Sequence, residues 1–455
     1  MDSRDDNLSI DDPLKTWFVF VGRGQESVTT GRKPARKKGF SWKRIALLFG
    51  VGLVFFLLFA VTSVYVFLSG LSGENGDTIA GEIPAPEPGE RIHVLILGVD
   101  AEYPEDSNAY IPPRSDTIFL ATLDPVTLEA NVVFIPRDTW AVIPGRPEPE
   151  KIGHAFAHGG AKLAIDTVSL LLDIPVHYYI RVDFAGFAGI IDTIGGVPMH
   201  IDRDMYYEDP TQDLVINIPA GDHNMDGETA LHYVRYRGQH GSDIERIDRQ
   251  KAFLRVVLEK LLQVETVLRL PDLARQVSGH VDTNMSPSRM ISFVNSAMSL
   301  SPDDVPMTMI PGDARYHERI SYWFPRIDET KTMVDTLIRG LIREENGEIT
   351  VEVLNGGGIP GVATQVADRL RTYGYDVVHV GNAPDMRDEK YEYTRVVDRS
   401  GDDSVAGQLM VRAVRSFVSD ASEVELYNGQ RQADVEDDDL AMISVYVGAD
   451  YVFEP

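Results

Sequence analysis

No cysteine occurs in the 455-residue chain, which excludes a disulfide framework, a zinc–thiolate site and a cysteine nucleophile. Positive charge is scarce: 43 Lys and Arg stand against 70 Asp and Glu, a formal net charge of −27. No internal repeat is present, and residues 1–44 carry no helix-turn-helix pattern, which argues against a cytoplasmic DNA-binding role. The length admits two or three domains.

One long uncharged apolar run is present, Ile45 to Leu68. As a helix it would be about 36 Å long at about 1.5 Å per residue, enough to cross a bilayer. It is too long, and begins too far from the N-terminus, for a cleavable signal peptide. Arg32, Lys33, Arg36, Lys37, Lys38, Lys43 and Arg44 precede it, whereas Glu74 and Asp77 follow it. The positive-inside rule therefore assigns the N-terminus to the cytoplasm and everything after Leu71 to the outside. Residues 1–44 read as a disordered basic tail and 69–90, rich in Gly, Pro and Glu, as a linker.

Beyond the linker, Ile92 to Val99, Thr117 to Leu123 and Asn131 to Ile135 read as strands, the last two as a hairpin. Ala164, Val168, Leu171 and Leu172 follow helical spacing, as do Leu254, Val257, Leu258 and Leu261. Strands mixed with helices predict a layered α/β domain, a mixed sheet flanked by helices, over 91–343. Glu344 to Glu348 reads as a hinge. A small α/β domain is expected over 349–454, with strands at Ile349 to Leu354, Asp376 to Val380 and Met442 to Val447 and a helix near Val362 to Tyr373.

Tyr233 to Gln250, YVRYRGQHGSDIERIDRQ, gathers cationic and amide donors. In an acidic chain such a cluster calls for an anionic partner. Were Tyr233 to Arg237 extended, Arg235 and Arg237 would share a face. Ser242 and Glu245 form a capping box that predicts a helix from Asp243, with Arg246 and Gln250 one turn apart. A helix start and the planar guanidinium fork both suit phosphate. Asp248 and Arg249 read as helix surface.

A hairpin brings the start of its first strand to the end of its second, so Arg114 and Asp116 are expected beside Arg137 and Asp138. Asp100 joins that edge if its strand runs parallel to Asn131 to Ile135. Carboxylates meeting phosphate-seeking arginines suit Mg2+, which is held by one or two carboxylates together with substrate phosphate oxygens. Lys151, after the loop Pro144 to Pro149, can reach a diphosphate as a point charge. His154 and His158 are four apart, but no third ligand and no HExxH glutamate is evident, so they read as structural. Gly356, Gly358 and Gly361 spell G-x-G-x-x-G, yet the next strand ends without the acidic residue of a dinucleotide site. They read as a tight turn with close packing.

In order and spacing, ILGVD (96–100), RSDTIFLATLD (114–124), IPRDTW (135–140), KIGHAFAHGG (151–160), VDFAGFAGIIDTIGGV (182–197), LHYVRYRG (231–238) and DIERIDRQ (243–250) resemble the LytR-CpsA-Psr family of envelope glycopolymer ligases. Residues 349–451 resemble the extra C-terminal domain of some members. The resemblance implies Mg2+-dependent transfer of a glycan phosphate from a polyprenyl-diphosphate carrier to a peptidoglycan hydroxyl, with release of polyprenyl phosphate. It implies Asp100 and Asp116 as metal ligands, and Arg114, Arg137, Lys151, Arg235, Arg237, Arg246 and Gln250 as head-group contacts. It also implies a lipid tunnel lined by the Thr117 to Ile135 strands and their covering helices. Asp138 and Asp243 are the candidates for accepting the hydroxyl proton. Gly153 departs from the family's K-I-N motif, and the loop Ala101 to Pro113 is extended. The alternatives are a polyprenyl-diphosphate phosphatase using water, and a noncatalytic regulator or glycan-binding anchor.

Overall fold

The computed structural model describes residues 83–87, 89–100, 114–210, 214–238, 243–263, 277, 279–383, 391–400, 405–417, 424–428 and 441–451. The expected membrane span, the basic tail, most of the linker, the loop 101–113 and Ser242 lie outside them. Among the described residues no helix is long and apolar enough to cross a membrane.

The first sheet has six strands. Those that carry the argument are β1 (Ile92–Val99), β2 (Ser115–Leu123) and β3 (Ala130–Phe134), followed by the two-residue pair β4 (Trp140–Ala141) and β5 (Glu150–Lys151). After helix α1 (His154–Leu172), β6 (Tyr178–Asp183) returns parallel to β1. The order is completed by β11 (Val281–Thr283) at one edge and β12 (Met307–Met309) at the other. Because β1 is antiparallel to β2 and β2 to β3, β1 and β3 run the same way, as the placement of Asp100 required. Alternation explains the layers. Leu95, Leu97 and Val99 of β1 enter a core with Leu120, Val133 and the Ala164, Ile165 and Val168 face of α1. On the opposite face Ile92 and Val94 pack with Tyr178 and Met285. A central strand covered on both faces needs apolar residues at nearly every position, which is why β1 is apolar apart from the buried His93.

Helix α1 is two helical pieces. Gly159 (φ −154°) and Gly160 (φ 64°) leave helical geometry just after His158. Between β6 and β11 stand α2 (Phe184–Thr193), the hairpin strands β7 (Val197–Ile201), β8 (Met205–Asp209), β9 (Leu214–Ile218) and β10 (Gly221–Met225), and helices α3 (Gly227–Arg235) and α4 (Asp243–Leu261). Helix α3 corrects the expectation of an extended Tyr233 to Arg237. The Asp226 side chain caps it by accepting from the Thr229 N–H, and Ala230 and Tyr233, three apart, are buried. Arg235 is its last residue and Arg237 follows the non-helical Tyr236 (φ −54°, ψ 131°), so the two do not share a strand face. Helix α4 begins at Asp243 as its spacing predicts, and Arg246, Ile247, Gln250, Phe253 and Val257 are buried on it.

Past α5 (Pro287–Ala297), strands β13 (Gly312–His317) and β14 (Ile320–Pro325) form a hairpin, and α6 (Ile327–Met333) follows. The segment Glu344–Glu348 is not a loose hinge but a short 3-10 turn. Asn346 in it is fully buried and donates to the carbonyls of Leu341 (2.7 Å) and Tyr373 (2.6 Å).

The second sheet contains β15 (Thr350–Asn355), β16 (Asp376–Asn382), β17 (Thr394–Asp398), β18 (Val424–Asn428) and β19 (Ile443–Val447) in the order 16-15-19-17-18. Helices α7 (Val362–Thr372) and α8 (Val405–Arg415) complete its core. Its glycine run is a turn: Gly358 and Gly361 take φ of 75° and 77°, and the Asn355 side chain accepts from the Gly358 and Ile359 N–H groups. A Cβ on Gly357 would lie 2.4 Å from the backbone of Gly448 and Ala449, so the close approach is to the end of β19.

Asp124, at the end of β2, is completely buried between two guanidiniums, Arg91 (2.8 Å) and Arg412 of α8 (2.7 Å). Burial alone would raise its pKa, but the hydrogen bond and charge of Arg412 and the charge of Arg91 hold it well below the usual carboxylate range. Arg343 adds a two-pronged contact to Glu129 at 2.6 and 2.7 Å.

Candidate active site

A β-bulge sets the site. The β1–β2 register shifts between Gly98 and Val99, which face Thr117 and Ser115, so Asp116 is the extra residue on β2. Bulges bend a strand end and re-aim its side chains. At the same open end of the hairpin, just past β3, Thr139 closes a turn onto the Pro136 carbonyl with both its N–H (2.9 Å) and its hydroxyl (2.6 Å). This fixes Arg137 and Asp138. The Gly153 N–H donates to the Arg137 carbonyl (3.0 Å) and the Ser115 N–H to the Gly153 carbonyl (3.4 Å), tying the starts of β2 and α1 to the same turn. The Trp323 N–H donates to the Asp138 carbonyl (2.9 Å), bringing β14 over it.

These ties surround a cavity of about 300 Å³ lined by Arg114, Asp116, Arg137, Asp138 and Lys151, with Tyr322 from β14 at its wall. Arg137 Nη1 donates to Asp116 Oδ1 at 2.6 Å, Arg137 Nε lies 3.9 Å from Asp138, and Lys151 Nζ pairs with Asp138 at 2.8 Å. Lys151 also sits 5.6 Å from the Tyr322 ring centroid. Cations and carboxylates thus alternate in one partly solvated network, where each pair is individually weak but the array is ordered. With three cations to two carboxylates, the lining is net cationic and suits an anion.

The second half of the expected set lies elsewhere. Of the described residues, Asp100, Arg235, Arg237, Arg246 and Gln250 are outside that lining. The Asp100 N–H donates to the Arg114 carbonyl at 3.3 Å, so its backbone adjoins the cavity edge. Gln250 donates to the Thr117 hydroxyl (3.3 Å) beside Asp116 and to the Val234 carbonyl (3.4 Å). The Arg235 guanidinium stacks 4.5 Å from the Phe184 ring centroid. The Asp243 side chain lies outside what is described. Arg249 is not plain helix surface, because it donates to the Tyr236 carbonyl and lies 5.1 Å from the Tyr236 ring centroid.

Two contributors escaped the sequence reading. Tyr322 arrives from more than 170 residues beyond Lys151 through tertiary pairing, for which no local signal exists. Glu150 meets His154 (3.2 Å) and His158 (3.1 Å), a third potential ligand beside the two histidines. Its spacing, four and eight residues before them, was visible, but Glu150 belongs to β5 and not to their helix.

Site and fold define a phosphate-suited cleft at the strand ends of a mixed α/β sheet. The chain belongs to the LytR-CpsA-Psr family, whose model matches residues 69–339. A second model, described as LytR cell envelope-related transcriptional attenuator, matches residues 348–451. Among curated relatives, the Enterococcus faecalis polyisoprenyl-teichoic acid–peptidoglycan teichoic acid transferase TagU is 32% identical over 199 residues, covering 43% of this chain and 62% of that one. The Bacillus cereus protein of the same name is 30% identical over 227 residues, 49% of this chain and 70% of the relative. The chain thus spans less than two thirds of the length of the first of these relatives. The crystal structure of Bacillus subtilis TagV aligns with 25% identity and a TM-score of 0.47, covering 55% of this chain and 97% of that one.

Proposed function

We propose that this protein is a membrane-anchored phosphotransferase that moves a glycan phosphate from a polyprenyl-diphosphate carrier onto a peptidoglycan hydroxyl. The observation that carries the reading is the cleft in which Arg137 bridges Asp116 to the Asp138–Lys151 pair, with Arg114 alongside. Family membership and relatives named as teichoic acid transferases support the same reading.

The acceptor oxygen attacks the glycan-side phosphorus, the bond from that phosphorus to the bridging oxygen breaks, and polyprenyl phosphate leaves with the electron pair. Such a step depends on positioning and charge stabilisation more than on covalent catalysis. Arg114, Arg137 and Lys151 bind the non-bridging oxygens. Asp138, beside Lys151, is the described candidate for taking the hydroxyl proton, with Asp243 the other. Asp116, which lines the cavity, and Asp100, whose backbone is hydrogen-bonded to that of Arg114 at its edge, are the residues that would hold Mg2+. When bound there, the ion neutralises diphosphate charge. Gln250, Arg246, Arg235 and Arg237 then serve the carrier side, where Phe119 and Leu254 are only partly buried beside the sheet face that carries Phe134, against which Ile247 of α4 packs. The tail follows that face in this reading, because Leu120 and Val133 on the other are sealed by α1. The run Ile45 to Leu68 anchors the chain, with the cleft outside the cell.

Product analysis tests the acceptor. Full-length protein in carrier-containing vesicles with Mg2+ should release polyprenyl phosphate and leave the glycan phosphate on added peptidoglycan. Equal release with and without peptidoglycan, and free glycan phosphate as the only product, would establish a phosphatase instead.

A further inference from the structure

We propose that Glu150, His154 and His158 form a binding site for a borderline transition ion, Zn2+ by its chemistry, separate from the carboxylates expected to hold Mg2+. Glu150 Oε2 lies 3.2 Å from His154 Nδ1 and 3.1 Å from His158 Nε2, and all three atoms fall within 4.8 Å of one another. A tetrahedral ion with bonds of about 2.0–2.2 Å separates its ligand atoms by roughly 3.3–3.6 Å. Two of the three edges are therefore nearly at ligand spacing, and a change of side-chain torsion suffices to admit the ion.

Local structure assembles this set. Glu150 ends the β4–β5 pair, while His154 and His158 occupy successive turns of the first piece of α1, which stops at Gly159 and Gly160. Arg146 Nε holds the other carboxylate oxygen, Oε1, at 2.7 Å, as outer partners of metal-ligating carboxylates do. Partial burial pushes the Glu150 pKa up, but Arg146, His158 and His154 outweigh it and hold the group at about 2.

Ligand chemistry selects the ion. Two imidazoles with one carboxylate is a Zn2+ set with a fourth position for water, whereas Mg2+ prefers oxygen ligands throughout. His158 is exposed and His154 also lines the cavity, so the ion sits at the cavity rim, open to solvent. It joins β5 to α1 on either side of Lys151 and orders the lysine that faces Asp138.

The test is metal binding by untagged, metal-stripped full-length protein in detergent, independent of any transfer activity. Titration calorimetry with Zn2+ alone should give one equivalent bound at least about 100-fold more tightly than Mg2+. His158→Gln and Glu150→Gln should each weaken Zn2+ at least about tenfold while leaving the metal-free unfolding temperature within about 2 °C. Should either variant misfold, Co2+ added to the unaltered protein decides: intense visible bands of a four-coordinate ion support the site. Only weak octahedral bands, no stoichiometric Zn2+ binding, or equal Zn2+ affinity in both folded variants would overturn it.

Discussion

Arg412→Ala should destabilise the described fold well beyond an ordinary surface substitution. Arg412 gives Asp124 two charge-assisted hydrogen bonds, Nη1 to Oδ2 at 2.7 Å and Nη2 to Oδ1 at 3.1 Å, and donates to the Gly89 carbonyl at 2.8 Å. Removing one partner of a buried ion pair costs about 3–5 kcal/mol. Asp124 would keep Arg91 and the N–H groups of Val126 (2.9 Å) and Thr127 (3.3 Å), so the lower end applies, about 3 kcal/mol. At about 2–4 °C per kcal/mol for a unit of 150–250 residues, the unfolding temperature should fall by about 6–12 °C. Scanning calorimetry of wild type and variant between pH 7 and pH 3 measures this. The sign follows from linkage. The folded pKa of Asp124 lies well below its unfolded value, so the stabilisation is fully present above about pH 4 and is lost as pH falls toward the folded pKa. The gap between the two proteins should narrow on acidification. A variant within 1 °C of wild type at pH 7, or a gap that widens toward pH 3, would refute the reasoning.

Other substitutions separate charge from packing. Arg137→Ala should lower the transfer rate by about 100- to 1,000-fold, the usual loss for one preorganised donor, with little change in unfolding temperature; steady-state turnover beside a melting curve checks both. Gly153→Ala should cost about 1–3 kcal/mol in a urea titration, because its Cβ would lie 2.9 Å from the Ser115 carbonyl oxygen and 3.2 Å from that of Arg137, neither of which yields like a side-chain tip. Gln250→Ala should weaken carrier binding, read as a raised KM at nearly constant kcat, because its contact is to Thr117 beside the cleft.

Local pattern made the first half of the cleft legible. The apolar runs define β1 to β3, hairpin geometry brings Arg137 to Asp116, and the residues from Asp243 onward form α4. At Tyr233 to Arg237 the arginine spacing suggests a shared strand face, but the backbone there is set by the helix that ends at Arg235. Asp226, Glu228 and the Ala230–Tyr233 spacing form a helix-start pattern that was equally readable. The closing wall was not readable, since Tyr322 and Trp323 reach the Asp138 turn through a hairpin whose sequence says nothing about its docking. Glu150 illustrates a third case, in which a ligand pattern crosses from a strand to a helix and single-element periodicity cannot register it.

The central claim is that the Asp116–Arg137–Asp138–Lys151 network performs phosphoryl transfer. Its most direct test compares wild type and Asp116→Ala as full-length proteins with Mg2+, polyprenyl-diphosphate glycan and peptidoglycan, following polyprenyl phosphate release and glycan phosphate on the wall. Wild type should generate both products and Asp116→Ala should lose both while retaining its fold. Undiminished transfer by the folded variant would contradict the account.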